Sequence, residues 1–497
     1  MAAPAVLAAL LTAYELSTRS LWLDEGATVA IASQHGHALW RGIGHDGGNM
    51  LAYYLLLHVV ITAFGDAAAV IRLPSVLADA ATAAIVAGLG LRLTGGDRRV
   101  AASAGTLTAV SLPLVVWGQD ARGYALMVTF TAGSFLALAA VLSAPPPAAL
   151  GPLVAFGGCL LAALYIGFAA VAVVPAQLVI LLTRRRHARP LLLALGAVAL
   201  LCVPLLVLAA GRGAGQLFWV PGPTPSVLGQ TLAVLTSAGL PPNFHVTALT
   251  VAVAVVTVLA AAAALRVATR SRPLPWQLWL PISWLLVPLV LAVVASLAGV
   301  PVELQRLAIL LIPALSLILA RSGLPPAAAW GGLILLLALR LAVLAPTYGI
   351  SPENWKAATR YVVATGAGDR SRSSATACVA FYPEDGRMPF DYYLPASVRA
   401  GAALTPVLPS APWSSVRPYV ERYVVPSASR LAAIVAGCPA LWLVASHEGQ
   451  RVGPSESRKN YAGYRSLLAT LGHLYEHRLA RRFSYAAEIH VDLFTRL

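Results

Sequence analysis

Two adjacent carboxylates, Asp24 and Glu25, stand in the stretch SLWLDEGAT, residues 20–28, just beyond the first apolar run of the chain. A carboxylate within hydrogen-bond reach of a hydroxyl can take its proton as the oxygen attacks, so an Asp here suits general-base work. The competing reading is structural: either acid could cap a helix that starts near Gly26. The pair is not isolated. H45-D-G-G-N49 puts Asp46 in a glycine-rich turn. Y53-Y-L-L-L-H58 follows it, then R72-L-P-S75. Q119-D-A-R-G-Y-A-L126 holds Asp120, Arg122 and Tyr124, and E303-L-Q-R-L-A holds Arg306. Arginine offers a planar fork of donors that matches a phosphate. Each arginine also suits a plain helix-end role, reaching to the headgroup level. Asp46 equally suits turn chemistry, and Tyr53 and His58 suit either substrate contact or residence at the membrane interface.

Such residues must be positioned by membrane helices. The chain has 497 residues, 58% hydrophobic and only 11% charged, against roughly 25% charged in soluble proteins. That deficit indicates a polytopic membrane protein, mainly α-helical. The net charge of +15 does not indicate nucleic acid, because the basic residues flank apolar segments and form no continuous face. Acidic residues are sparse up to Pro346, where Glu15, Asp24, Glu25, Asp46, Asp66, Asp79, Asp97, Asp120 and Glu303 are all there are; the remainder crowd into the tail. The chain therefore divides into a membrane part, 1–346, and a polar part, 347–497.

Three basic clusters set the orientation: Arg92, Arg98 and Arg99; Arg184, Arg185, Arg186 and Arg189; Arg266, Arg270 and Arg272. The positive-inside rule places all three in the cytoplasm. The expected spans are then about eleven, over 1–17, 73–92, 100–116, 124–142, 151–165, 167–183, 190–210, 246–265, 276–298, 307–320 and 326–346. An odd count with the N-terminus inside puts the tail outside the plasma membrane. It also gathers Asp24, Glu25, Asp46, Asp66, Asp120 and Glu303 on the outer side. LAYYLLLHVVITAF, 51–64, is too short to span and reads as a helix lying in the outer interface.

In the tail, 352–363 and 458–471 read as helices, and 376–382, 441–446 and 489–496 as strands, giving a small extracytoplasmic α/β domain. FDYYL from Phe390 reads as acceptor-facing or packing aromatics, with packing favoured. Cys378 and Cys438 are candidates for a disulfide in an external compartment; Cys159 and Cys202 sit in apolar runs as packing residues. No GxGxxG fingerprint marks a nucleotide site. Scattered carboxylates are compatible with a divalent metal, but no compact ligand cluster demands one. In the loop 211–245, Phe218 and Trp219 suit an interfacial anchor or a lid.

The ordered set WLDEGA, HDGGN, YYLLLH, RLPS and QDARGYAL resembles the membrane-embedded glycosyltransferases of the GT-C class. The likeness is greatest to the branch of protein O-mannosyltransferases, aminoarabinose transferases and their actinobacterial relatives. It covers about 1–125 well and runs more loosely through ELQRLA to SPENW, 351–355. The resemblance implies a polyprenyl-phosphate sugar donor presented from the outer leaflet, and a glycan, lipid or protein acceptor. It makes Asp24 the general base with Glu25 beside it. Arg122 and Arg306 would hold the phosphate, and Asp120, Asp46, Tyr124, Tyr53 and His58 would line the substrates. Relatives often carry a proline near Met50, which this chain lacks. Mannose and arabinofuranose both remain open as the sugar.

Two readings compete with an enzyme. A lipid-linked-sugar transporter should show inverted repeats and ionisable residues at the bilayer midplane; no repeat is evident, and only Asp79 suits that depth. A sensor or scaffold with an external domain leaves the motifs of the first 125 residues unexplained.

Overall fold

The computed structural model describes all residues except 146–149, 182–183, 213–216, 218–219, 241–245, 270–274, 322–325, 369–376, 401–403, 413–422, 453–454 and 484–486. Phe218, Trp219, Arg270 and Arg272, singled out above, lie outside the described residues, as does the first residue of the 376–382 strand. The chain forms two compact units, each discontinuous in sequence. One takes Met1–Leu16 and most of the chain from Gly47 to Tyr348; the other takes Ser17–Asp46 together with Gly349–Leu497.

The first unit is helical. Among the described residues, five helices are long and apolar enough to cross a membrane: Ala68–Leu93, Tyr124–Ser143, Ala248–Arg266, Trp276–Leu297 and Ala327–Thr347. Two bent pairs qualify if each is one span: Arg98–Ala109 with Leu112–Gly118, bent by 59°, and Arg185–Leu201 with Val203–Arg212, bent by 46°. The breaks have a local cause. Pro113 and Pro204 each lack the N–H that would continue the helical ladder, so the chain restarts there. Shorter apolar helices occupy Ala2–Ala13, Leu51–Phe64, Leu150–Ile166 and Phe168–Leu181. The expected span over 307–320 is divided into Leu304–Ile309 and Ile312–Ala320, with Pro313 at the restart. Every expected span thus meets an apolar helix, but only five to seven reach spanning length.

Polar groups inside this unit pair with one another. The Thr12 hydroxyl donates to Asp79 at 2.6 Å, the acid considered above as a midplane residue. Thr82 and Thr129 share a hydrogen bond of 2.8 Å. Phe135 stacks on Trp284 with centroids 4.0 Å apart.

The second unit is built on a five-stranded sheet. Its strands are β1 (Ala377–Tyr382), β2 (Leu404–Leu408), β3 (Ala440–Ser446), β4 (Tyr475–Phe483) and β5 (Ile489–Arg496), in the order β2-β1-β3-β5-β4. β1 runs parallel to β2 and β3, while β5 is antiparallel to β3 and β4. The central strands bury both faces, as alternation in register requires. On one face Cys378, Ala380, Leu441 and Leu443 pack with Leu467 and Leu471 of the Ser455–Leu474 helix. On the other, Val379, Phe381, Trp442 and Val491 pack with Trp355 and Val362 of the Trp355–Gly368 helix. Phe390 belongs to this second core and meets Phe381 edge-on at 5.1 Å, the packing role expected of FDYYL. Cys378 and Cys438, the candidate pair left open by the sequence, form a disulfide. Closing a loop with a sequence separation of 60 contributes about 4 kcal/mol on chain-entropy grounds.

Two strands escaped the sequence reading, β2 and β4, and both are the edges of the sheet. An edge strand has one neighbour, so it tolerates Pro406 in β2 and the charge-rich EHRLARR of β4. The stretch 18–46 holds two helices, Leu23–Ala32 and Gly36–His45.

Candidate functional site

The candidate residues fall into two clusters, one in each unit.

In the second unit, the Leu23–Ala32 helix carries Asp24 and Glu25 in its first turn. Trp22 is the N-cap residue and its own side chain makes no capping hydrogen bond, so neither Asp24 nor Glu25 stands at the cap position. Negative charge in a first turn is still favoured by the helix dipole. Glu25 is fully buried and Asp24 only partly, which leaves Asp24 as the reachable carboxylate. The glycine that follows has a structural cause. A Cβ at Gly26 would sit 2.9 Å from the backbone nitrogen of Pro389, so only glycine lets this helix approach the Arg387–Tyr393 helix so closely.

The first turn is held by residues from the far end of the chain. The Leu23 N–H donates to Glu353 Oε2 at 3.0 Å, and the Trp355 indole N–H donates to the same oxygen. His447 Nε2 lies 3.3 Å from the other carboxyl oxygen. Glu353 therefore takes over one of the donors that a helix start leaves unsatisfied. Its burial pushes its carboxyl above the ordinary range; His447, Trp355 and the Leu23 N–H pull the other way, and Asp24 adds to the rise. The preceding strip is tied down as well. The Leu21 N–H donates to the Tyr393 hydroxyl at 2.7 Å, and the Ser20 N–H to the Ser351 hydroxyl at 2.8 Å. Asp46 is buried and closes the Gly36–His45 helix, its N–H bonded to the Gly42 carbonyl.

In the first unit, three candidates meet: Arg122 and Arg306 gather at the ring of Tyr124. Tyr124 begins the Tyr124–Ser143 helix and is buried. The Arg122 guanidinium lies 5.8 Å from its ring centroid and that of Arg306 5.2 Å. Trp117 meets it edge-on at 4.5 Å. Each cation is attracted by the quadrupole of the shared ring, which offsets part of their mutual repulsion. Arg306 is also ion-paired with Glu303 at 2.8 Å and remains a quarter exposed. Asp120 and Arg122 are nearly fully buried.

The neighbouring motifs explain how that loop is held. Ser75, the last residue of RLPS, donates its hydroxyl to the Asp120 carbonyl at 2.7 Å and lies 3.3 Å from that of Arg122. Arg72 anchors its own helix, donating to the Leu16 carbonyl at 2.8 Å. The Gln119 amide donates to the carbonyls of Thr12 and Tyr14, closing the end of the first helix. Tyr53 is buried, with its Cβ 3.4 Å from where a Cβ on Gly123 would be. His58 is half-buried on the same Leu51–Phe64 helix. The absent proline near Met50 also has a reason: Met50 has φ of +59°, which a proline ring cannot adopt.

Glu353, His447, Ser75 and Tyr393 were not foreseen as site-supporting residues. The SPENW stretch was noticed, but the role of its Glu depends on a contact with Leu23, 330 positions away. Among the described residues, no three His, Cys, Asp or Glu side chains come together as a metal-ligand group.

No family model and no curated protein matches this sequence. Solved structures do match. ArnT from Cupriavidus metallidurans bound to undecaprenyl phosphate is similar over 99% of this chain and 97% of its own, at 14% identity and a TM-score of 0.55. The oligosaccharyltransferase AglB from Archaeoglobus fulgidus, in complex with an inhibitory peptide and a dolichol-phosphate, is similar over 96% of this chain and 72% of its own, at 12% identity and a TM-score of 0.54. At such identities the likeness shows the fold: this chain is folded like these membrane transferases, and the resemblance to the GT-C class holds at that level.

Proposed function

We propose that this protein is an integral membrane glycosyltransferase that moves a sugar from a polyprenyl-phosphate donor to an acceptor hydroxyl. The observation that carries the reading is the pair Arg122 and Arg306 gathered on Tyr124, in a fold shared with a transferase bound to undecaprenyl phosphate. Asp24 takes the acceptor proton. The acceptor oxygen then attacks the anomeric carbon from the face opposite the leaving group. The bond from that carbon to the phosphate oxygen breaks, and polyprenyl phosphate departs with the electron pair. A phosphate needs no strong acid to leave, but it needs cations where its charge develops, and Arg122 and Arg306 supply them. One displacement gives inversion, the logic of inverting glycosidases with a sugar or protein hydroxyl in place of water. Glu25 holds the first turn beside the base. Asp120, Asp46, Tyr124, Tyr53 and His58 line the substrates.

In this reading about eleven segments cross the plasma membrane, residues 1–346 form the membrane module, and residues 347–497 lie outside. Mannose is the first sugar to test and arabinofuranose the second. The deciding experiment measures transfer of radiolabelled mannose from synthetic polyprenyl-phosphomannose into membrane extract, with arabinose donor in a parallel arm. Label should enter with wild type and fall by about 10²–10⁴-fold in Asp24→Asn. Equal incorporation by both proteins removes Asp24 as the base. No incorporation from either donor removes the glycosyltransferase reading for these sugars.

A further inference from the structure

The second unit contains a cleft that the transfer chemistry above does not use. It has a volume of about 410 Å³ and is lined by Asn354, Lys356, Arg360, Tyr361, Arg481 and Phe483. Its walls follow from local periodicity. Lys356 and Arg360 are four apart on the Trp355–Gly368 helix and share a face. Arg481 and Phe483 are two apart on edge strand β4 and share a side of the sheet. The Arg481 guanidinium is held over aromatic rings, 4.7 Å from the Tyr361 centroid and 5.5 Å from that of Phe483.

Several other cations of the same unit are ion-paired: Arg478 with Glu476 at 2.8 Å, Arg482 with Glu488 at 3.8 Å, and Arg387 with Asp391 at 2.9 Å. Among the described residues, Lys356, Arg360 and Arg481 have no carboxylate within ion-pair distance. Three like charges around one cavity repel, and an anion relieves that cost. Asn354 accepts from the Ala357 N–H through Oδ1, which leaves its amide nitrogen to donate. Tyr361 and Phe483 are half-buried and add apolar surface.

We propose that this cleft binds a phosphate-bearing saccharide, the cations taking the phosphate and Asn354 with the two rings taking the sugar. A phosphate monoester carries about −1.5 to −2 charges at neutral pH, which matches three cations better than a single carboxylate does. Where this saccharide is the acceptor, the inference rests on the glycosyltransferase reading, and it narrows the acceptor to a phosphorylated glycan.

The test is binding without donor. Full-length protein in phosphatidylcholine nanodiscs is titrated with glucose 1-phosphate by calorimetry, with glucose and inorganic phosphate in separate arms. A further arm uses nanodiscs containing phosphatidylglycerol. Saturable binding of glucose 1-phosphate is expected, at least about tenfold tighter than glucose or inorganic phosphate, and weakened about a hundredfold in Arg360→Gln/Arg481→Gln (about an order of magnitude per lost charge-assisted pair). Both arginines are exposed, so the variant folds; Lys356→Gln gives an independent second variant that should also weaken binding. Undiminished affinity in both variants, or no binding by wild type, overturns the proposal. Inorganic phosphate binding as tightly as the sugar phosphate assigns the cleft to free phosphate, and suppression by phosphatidylglycerol assigns it to a lipid headgroup; either result overturns it too. Transfer without binding sinks this proposal alone, whereas binding without transfer sinks the glycosyltransferase reading alone.

Discussion

At the scale of single residues, the two clusters make separable demands. The arginines near Tyr124 are assigned to the leaving phosphate, so their loss should fall on donor use. Removing Arg306 also breaks its ion pair with Glu303 at 2.8 Å. Arg306→Ala is expected to lower kcat/KM for the polyprenyl donor by about 10²-fold, the usual cost of one charge-stabilising donor, while the acceptor KM moves little. Steady-state kinetics with each substrate varied in turn measures this, and an equal effect on both substrates contradicts the assignment. Glu353 makes a different prediction, one of stability. Its carboxyl is raised in the folded protein, chiefly by burial. The folded state then holds its proton more tightly than the unfolded chain. The stability this gives is full below the unfolded value near 4.5 and is lost as pH rises through the higher folded value. Glu353→Gln cannot titrate. The Tm of the variant minus that of wild type should therefore climb as pH rises above 4.5, measured by calorimetry on the transition of the second unit. A pH-independent difference would mean that Glu353 is not raised.

At the scale of elements, the packing of the Leu23–Ala32 helix carries the site. Its approach to the Arg387–Tyr393 helix leaves no room at Gly26, where an added Cβ meets proline backbone that cannot swing aside. Gly26→Ala should cost about 1–3 kcal/mol in stability and reduce transfer more than that loss of folded protein explains, because the turn bearing Asp24 must shift. Transfer per folded molecule, with folding read by chemical denaturation, separates the two effects. Unchanged activity shows that the helix relaxes without moving the base. The same elements mark where sequence could be read and where it could not. The DEG motif was legible because charge is rare in its surroundings. The three inner strands β1, β3 and β5 were legible because both faces are buried and apolar residues run through them. β2 and β4 were not, since an edge strand can carry proline or charge. Glu353 was not, because its partner Leu23 is 330 residues distant and nothing local distinguishes it from a surface acid.

At the scale of the whole molecule, chain connectivity constrains the topology more tightly than helix length does. Ser17–Asp46 and Gly349–Leu497 form one compact unit, so both lie on the same side of any membrane the chain spans. The chain between Asp46 and Gly349 must then cross an even number of times. Among the described residues the long candidate helices in that interval number five, or up to seven with the bent pairs. If both bent pairs cross, the count is odd and at least one shorter apolar helix crosses as well. Counting Leu150–Ile166, Phe168–Leu181 and the broken Leu304–Ala320 segment with the seven restores an even count and leaves Leu51–Phe64 uncrossed, as proposed from its length. The positive-inside rule would put the basic loops in the cytoplasm, and on that ground we propose that the compact unit lies outside. Ser427 is exposed on this unit and caps the Ala428–Ile434 helix. Ser427→Cys, in a background with Cys159→Ser and Cys202→Ser, should react with a membrane-impermeant maleimide in intact cells, since the disulfide cysteines do not. Labelling only after permeabilisation would place Asp24 with the tail in the cytoplasm, and no donor presented from the outer leaflet could then reach the proposed base.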